Sequence, residues 1–193
     1  MPTSEQQIIH RVSALVAADS VSSPDPHWDS SNRKVIHHIA EYAQSDGWAV
    51  EIQELGSDAN TKANLIASLG DCCETGGQPS GLVLSGHTDT VPFDTEGWDS
   101  DPLTLDERDG RLYGLGSTDM KGFFAVALEA AAAFDPKDFK SPLYLLATAD
   151  EESTMRGARS LTKDYLPQAR AAVVGEPTDL RPMRMHKGIT MQG

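Results

Sequence analysis

Cysteine is almost absent from this chain of 193 residues: the only two, Cys72 and Cys73, are neighbours in the loop-like stretch GDCCETGGQPSG. Adjacent cysteines make no disulfide framework, and they read as free thiols in a reducing compartment. Positive charge is scarce as well. Lys and Arg number 16 against 29 Asp and Glu, a formal net charge of -13, which opposes any broad attraction to nucleic acid or to an anionic membrane. Long apolar runs are missing, none approaching the roughly 20 residues of a spanning helix. The opening MPTSEQQIIHRVSALVAADS lacks the basic n-region and continuous apolar core of a signal peptide. The expectation is therefore a cytoplasmic protein that partners neither nucleic acid nor membrane.

Nucleotide and serine-nucleophile signatures are missing too. GLGSTDMKG carries Gly114 and Gly116 before a helical stretch, without the third glycine of a dinucleotide fingerprint or the Gly-Lys-Ser/Thr order of a phosphate loop. LSGHT has no serine between glycines. What remains is an ordinary globular composition, 39% apolar and 23% charged, in a chain long enough to bury roughly 70% of its unfolded surface in one domain.

Periodicity gives the frame. Ile8, Ile9, Val12, Leu15 and Val16 make one helical face. Val35, Ile36, Ile39, Tyr42 and Ala43 make a second, stopped by Gly47. WAVEIQEL and KANLIASLG read as strands, GLVLSGH as a strand buried on both faces, and LTLDE with RLYG as a hairpin around Asp109-Gly110. STDMKGFFAVALEAAAAF reads as a helix, SPLYLLATADEE as a buried strand, ESTMRGARSLTKDYL as a helix and ARAAVVGEP as a last buried strand. Strands alternating with helices predict an α/β domain whose central sheet is mostly parallel and flanked by helices.

Three of these strands end in ionisable side chains. LVLSGHTD delivers His87 and Asp89, LYLLATADEE delivers Asp150, Glu151 and Glu152, and AAVVGE delivers Glu176; Asp119 opens the STDMKG stretch. Ligands of open α/β sheets bind beyond the carboxyl ends of the strands. Carboxylates converging there repel one another unless a cation holds them. A histidine nitrogen among carboxylate oxygens suits zinc, cobalt or manganese. Each residue also has an ordinary reading: Asp119 as a first-turn helix acid, Glu176 as a solvated loop acid, ADEES as a charged helix start. His10, His27, His37 and His38 lie on or beside helices without acidic partners in register and read as surface residues.

Taken together, SGHTDTVPFD, LYGLGSTDMKGFFA, LLATADEES and GEPTDLRPMRMHKG resemble, in order, the motifs of the aminoacylase and desuccinylase family of two-zinc amidohydrolases. The resemblance runs along essentially the whole chain and implies a zinc-exopeptidase-like catalytic domain. It implies that His87, Asp119 and Glu176 bind a first zinc, with Asp119 bridging and Glu152 serving a second. Asp89 would orient His87 by a hydrogen bond, and Glu151 would be the general base. The implied reaction is metal-assisted hydrolysis of an N-acyl amino acid, acetylated ornithine first among them. The rivals are a succinylated diaminopimelate, a dipeptide, and a non-catalytic metal-binding module. Zinc is the implied metal, with cobalt an alternative.

Family subunits are about twice this length, which shapes the expected domains. Residues 1–181 are read as the N-terminal part of the metal-binding catalytic domain, and residues 182–193 as the entry to a lid and dimerisation domain. Intact members are expected to be homodimers. The last histidine ligand of the second zinc has no counterpart in this stretch. The expectation is thus a truncated chain with a preserved first site, a weak second one and little or no activity alone.

Overall fold

The computed structural model describes residues 3–56, 61–70, 80–161 and 169–185. In chain order the regular elements are α1 (Ser4–Ala17), α2 (Arg33–Ser45), β1 (Ala49–Leu55), β2 (Lys62–Leu69), β3 (Leu82–His87), β4 (Asp106–Arg108), β5 (Arg111–Tyr113), α3 (Lys121–Ala132), β6 (Leu143–Thr148), α4 (Arg156–Ser160) and β7 (Ala171–Val174). Five strands form one sheet in the order β1-β2-β6-β3-β7, and β4 with β5 forms the expected hairpin. β6, β3 and β7 are mutually parallel, while β2 is antiparallel to both β1 and β6. Four of the five strands of this sheet therefore run one way and β2 runs against them, an α/β domain with a mostly parallel sheet.

Local chemistry sets the element ends. Thr3 and Gln6 cap α1 reciprocally, each side chain meeting the other residue's backbone amide. Gly47, at φ +86°, takes the left-handed position that stops α2. Along β2, Ala63, Leu65 and Ala67 point into a core shared with Ile36 and Ile39 of α2, Phe124 and Leu128 of α3, and Leu145 of β6. The intervening β2 positions face the other side of the sheet, where Asn64 meets α4. No helix among the described residues is long and apolar enough to cross a membrane.

Two local expectations are corrected. The stretch Ser117–Asp119 is a turn; α3 starts only at Lys121, with Met120 at its N-cap. Asp119 is thus not a helix-start acid. β7, expected to be buried, is exposed along its length, with Val173 at 49% and Val174 at 60% exposure. Among the described residues it is an edge strand, paired with β3 on one side. The expected helix ESTMRGARSLTKDYL is described only as α4; its residues 162–166 lie outside the described residues, as do Cys72, Cys73 and residues 186–193.

Gly122 lets α3 pass close to the turn that carries Asp119: a Cβ there would lie 2.2 Å from the Ser117 carbonyl oxygen. Backbone cannot swing aside as a flexible side chain does. Gly122→Ala is expected to destabilise the chain by about 1–3 kcal/mol, seen as a lower urea midpoint.

Candidate metal centre

The parallel trio brings the polar strand ends to one edge. β3 and β6 pair in register from Leu82↔Leu143 to His87↔Thr148, so the two strands end level. β7 lies on the other side of β3 with Ser85↔Val174 paired, and Glu176 follows two residues later. His87, the Asp150–Glu152 turn and Glu176 consequently emerge side by side. Asp119 reaches the same place from the turn before α3.

His87 is buried at the centre. Its Nδ1 lies 3.0 Å from the backbone carbonyl oxygen of Asp89, which can only accept, so Nδ1 carries the proton. Nε2 is left facing Asp119 Oδ1 at 3.1 Å and Glu176 Oε1 at 3.9 Å. Among the described residues two groups of potential metal-holding side chains follow, His87 with Asp119 and Glu176, and His87 with Glu151 and Glu152; within each, one ligand atom per residue lies within 4.8 Å of the others. Ligand atoms about a tetrahedral zinc are roughly 3.4 Å apart at ordinary bond lengths. The first group brackets that spacing and fits such an ion. Asp119 and Glu152 also line a shared cleft of about 410 Å³ walled by Thr90, Trp98 and the Gly114–Thr118 turn.

The electrostatics ask for a cation. Burial alone would lower the His87 pKa, but Asp89, Glu176, Asp119 and Glu151 together outweigh it and the net direction is upward. Nearby negative charge favours the charged form of an imidazole, and a bound cation would answer the same charge. Burial likewise raises the Glu152 pKa; His87 opposes that shift, and Asp119, Glu151 and Asp89 add to it. The fully buried Asp89 is raised by burial, against the pull of the Glu152 and Glu151 amides and of His87.

His87, Asp89, Asp119, Glu151, Glu152 and Glu176 all lie in this cluster, whereas the Asp150 carboxylate turns to Lys62. The Asp89 carboxylate is 3.7 Å from His87 Nδ1, and it accepts instead from the backbone amides of Glu151 at 3.1 Å and Glu152 at 3.0 Å. The backbone carbonyl of the same residue orients the ring. Asp89 therefore ties the β3 end to the β6 end.

Several supporting residues were not anticipated. Lys62 and Lys121 are among the largest fully buried side chains. Lys121 Nζ donates to the Ala18 carbonyl at 2.8 Å. Burial pushes its pKa down to about 8, against the pull of Asp19 and Asp89. Asn64 accepts from the Ala149 amide at 3.1 Å and donates to the Gly157 carbonyl at 3.0 Å, bracketing the loop that holds the glutamates. The available signal was in KANLIASL, where a lysine and an asparagine alternate with apolar residues entering a buried strand.

Residues 83–190, more than half of the chain, match the family described as Peptidase family M20/M25/M40. The chain belongs to that family. It is 48% identical over 174 residues to an acetylornithine deacetylase of Aliivibrio salmonicida (strain LFI1238), an alignment covering 90% of this chain and 44% of the relative. The chain thus spans less than half the length of the curated relatives it matches. Among solved structures, human carnosine dipeptidase 1 superposes with a TM-score of 0.67 at 24% identity, covering 86% of this chain and 38% of that one. A di-peptidase of Saccharomyces cerevisiae gives a TM-score of 0.68 at 22% identity, over 88% and 38%. These two likenesses establish the shared fold.

Proposed function

We propose that the polypeptide carrying this chain is a metal-dependent amide hydrolase that removes the acetyl group from N-acetylornithine, yielding ornithine and acetate for arginine synthesis. The observation that carries the chemistry is the buried His87 whose Nδ1 meets the Asp89 carbonyl and whose Nε2 faces carboxylates from two other segments, Asp119 and Glu176. The substrate rests on the 48% identity to an acetylornithine deacetylase.

In this reading His87, Asp119 and Glu176 hold one zinc or cobalt ion, and Asp119 with Glu152 offers donors to a second. Bound metal would supply a lowered water pKa and a polarised substrate carbonyl. The protein's own groups do the rest. Glu151 accepts the proton of the attacking water and returns it to the departing amine nitrogen. Asp89 fixes the backbone that aims Glu151 and Glu152, and the cleft beside Trp98 and Thr118 leads to Asp119 and Glu152. Residues 1–181 are read as part of the catalytic domain and residues 182–193 as the entry to a lid or dimerisation domain, with a cytoplasmic homodimer as the complete assembly.

The test uses the polypeptide as its gene encodes it, stripped with a chelator and reloaded with zinc or cobalt. Turnover of N-acetylornithine is expected to vanish and return with the metal. Its kcat/KM should exceed that for succinyl-diaminopimelate or a dipeptide at least about tenfold. A reversed preference would assign the sibling substrate. Metal uptake with no hydrolysis of any of the three would instead mark a non-catalytic metal-binding module.

A further inference from the structure

We propose that Lys62 is a positioning residue for the Glu151–Glu152 pair, acting through the side chain of Asp150. The work assigned to the glutamates rests on the function proposed above; the positioning itself rests on geometry. β6 leaves the sheet at Thr148, and the chain then turns through Asp150 at φ 57°, a left-handed conformation that disfavours a residue with a Cβ. Something must hold it there. Asp150 Oδ1 pairs with Lys62 Nζ at 3.1 Å and accepts a hydrogen bond from Ser22 Oγ at 3.1 Å. Ser22 is itself hydrogen-bonded to Ser153, one residue past the pair.

The lysine is fixed from its other side. Nζ pairs with Asp29 at 2.8 Å and donates to the Ser30 carbonyl at 2.5 Å, so it straps the segment between α1 and α2 to the loop after β6. Lys62 and Asn64 stand two apart on β2, and both grip this loop, Asn64 at Ala149 and Lys62 at Asp150. Glu151 and Glu152 therefore sit between two buried anchors. Asp150 is drawn toward Lys62 on one side, and their own amides are drawn to Asp89 on the other. Releasing the first anchor lets Asp150 relax out of its left-handed conformation, which rotates the next two residues.

A buried ion pair is weak evidence for stability, because an apolar replacement of both partners is often neutral or better. Fixing one loop conformation is a different effect, and it can be measured separately. Residue-resolved amide exchange by NMR on the metal-free 193-residue chain gives the main readout. In Lys62→Met the Glu151 and Glu152 amides are expected to lose about tenfold or more of their protection while the Leu145 and Leu146 amides of β6 change little. In the polypeptide as encoded, kcat should fall at least about tenfold with KM nearly unchanged, the scale of losing an outer-shell partner.

Lys62→Met leaves Asp150 buried without its cation and can fail to fold. The pair Lys62→Met with Asp150→Asn removes both charges and keeps the test open, with the same selective loss expected. Full protection of Glu151 and Glu152 in the folded variant would overturn the proposal. So would a loss shared equally by Leu145 and Leu146, since that marks general destabilisation. An inactive wild type would instead sink the hydrolase reading, leaving the exchange result to judge Lys62 alone.

Discussion

Glu151→Gln, made in the polypeptide as encoded, is expected to lower kcat by about 10²–10⁴, or roughly 3–5 kcal/mol of transition-state stabilisation. Glutamine has the same shape and keeps an oxygen to accept a hydrogen bond, but it cannot take a proton from water near neutral pH. The backbone amide of residue 151 still donates to Asp89, so the loop stays in place. Metal content and KM should therefore be close to wild type. The metal measurement matters as much as the rate, because the geometry places Glu151 in one of the two potential ligand groups, with His87 and Glu152. If Glu151 were a ligand, its replacement would release metal in proportion to the lost activity. A variant that binds metal fully and turns over slowly identifies a proton carrier. Full activity would remove Glu151 from the chemistry altogether.

Asp89→Ala should produce the largest combined loss of stability and metal affinity. The side chain is fully buried and its two oxygens receive the amides of Glu151 and Glu152. Removing it strands two partly buried donors, at about 1–3 kcal/mol each. That is a large fraction of the 5–15 kcal/mol typical of a whole domain. Metal affinity should fall about 10–100-fold, the usual cost of losing a partner that orients ligands. Asp89→Asn distinguishes the two ways the residue could act. If the carboxylate worked through His87, an amide oxygen would still accept from Nδ1 and the variant would be mild. The clamp needs two acceptors, and an amide NH2 facing a backbone N–H is a conflict of donors. Asn should therefore be nearly as damaging as Ala in both denaturation midpoint and metal titration.

Much of the centre was legible in one dimension. An apolar strand that stops at a histidine, another that stops at three acids and a third that stops before a glutamate are local patterns. Parallel strands bring such ends together, and the register of β3 with β6 and β7 does so here. The resemblance of four ordered motifs added the roles of individual residues. Asp119 was selected as a site residue and does lie 3.1 Å from His87 Nε2, but it was placed wrongly in the helix. Helical periodicity in FFAVALEA extends back into Ser117–Asp119 on paper, whereas the chain makes a turn there and starts α3 at Lys121.

The sequence by itself determined the α/β class, the strand ends that carry the acids and the identity of the residues around His87. Side-chain chemistry and hydrophobic spacing are properties of short stretches of chain. Tertiary structure alone decided that β2 runs against its neighbours, that β7 is an exposed edge among the described residues, and that the carbonyl of Asp89 meets the ring while its carboxylate holds the glutamate loop. It also decided that a lysine at the start of β2 and a serine before α2 share Asp150, the serine lying 128 residues from it. Such pairings have no local signature. A buried charge requires a partner wherever the fold brings one, and the partner's place in the chain is free.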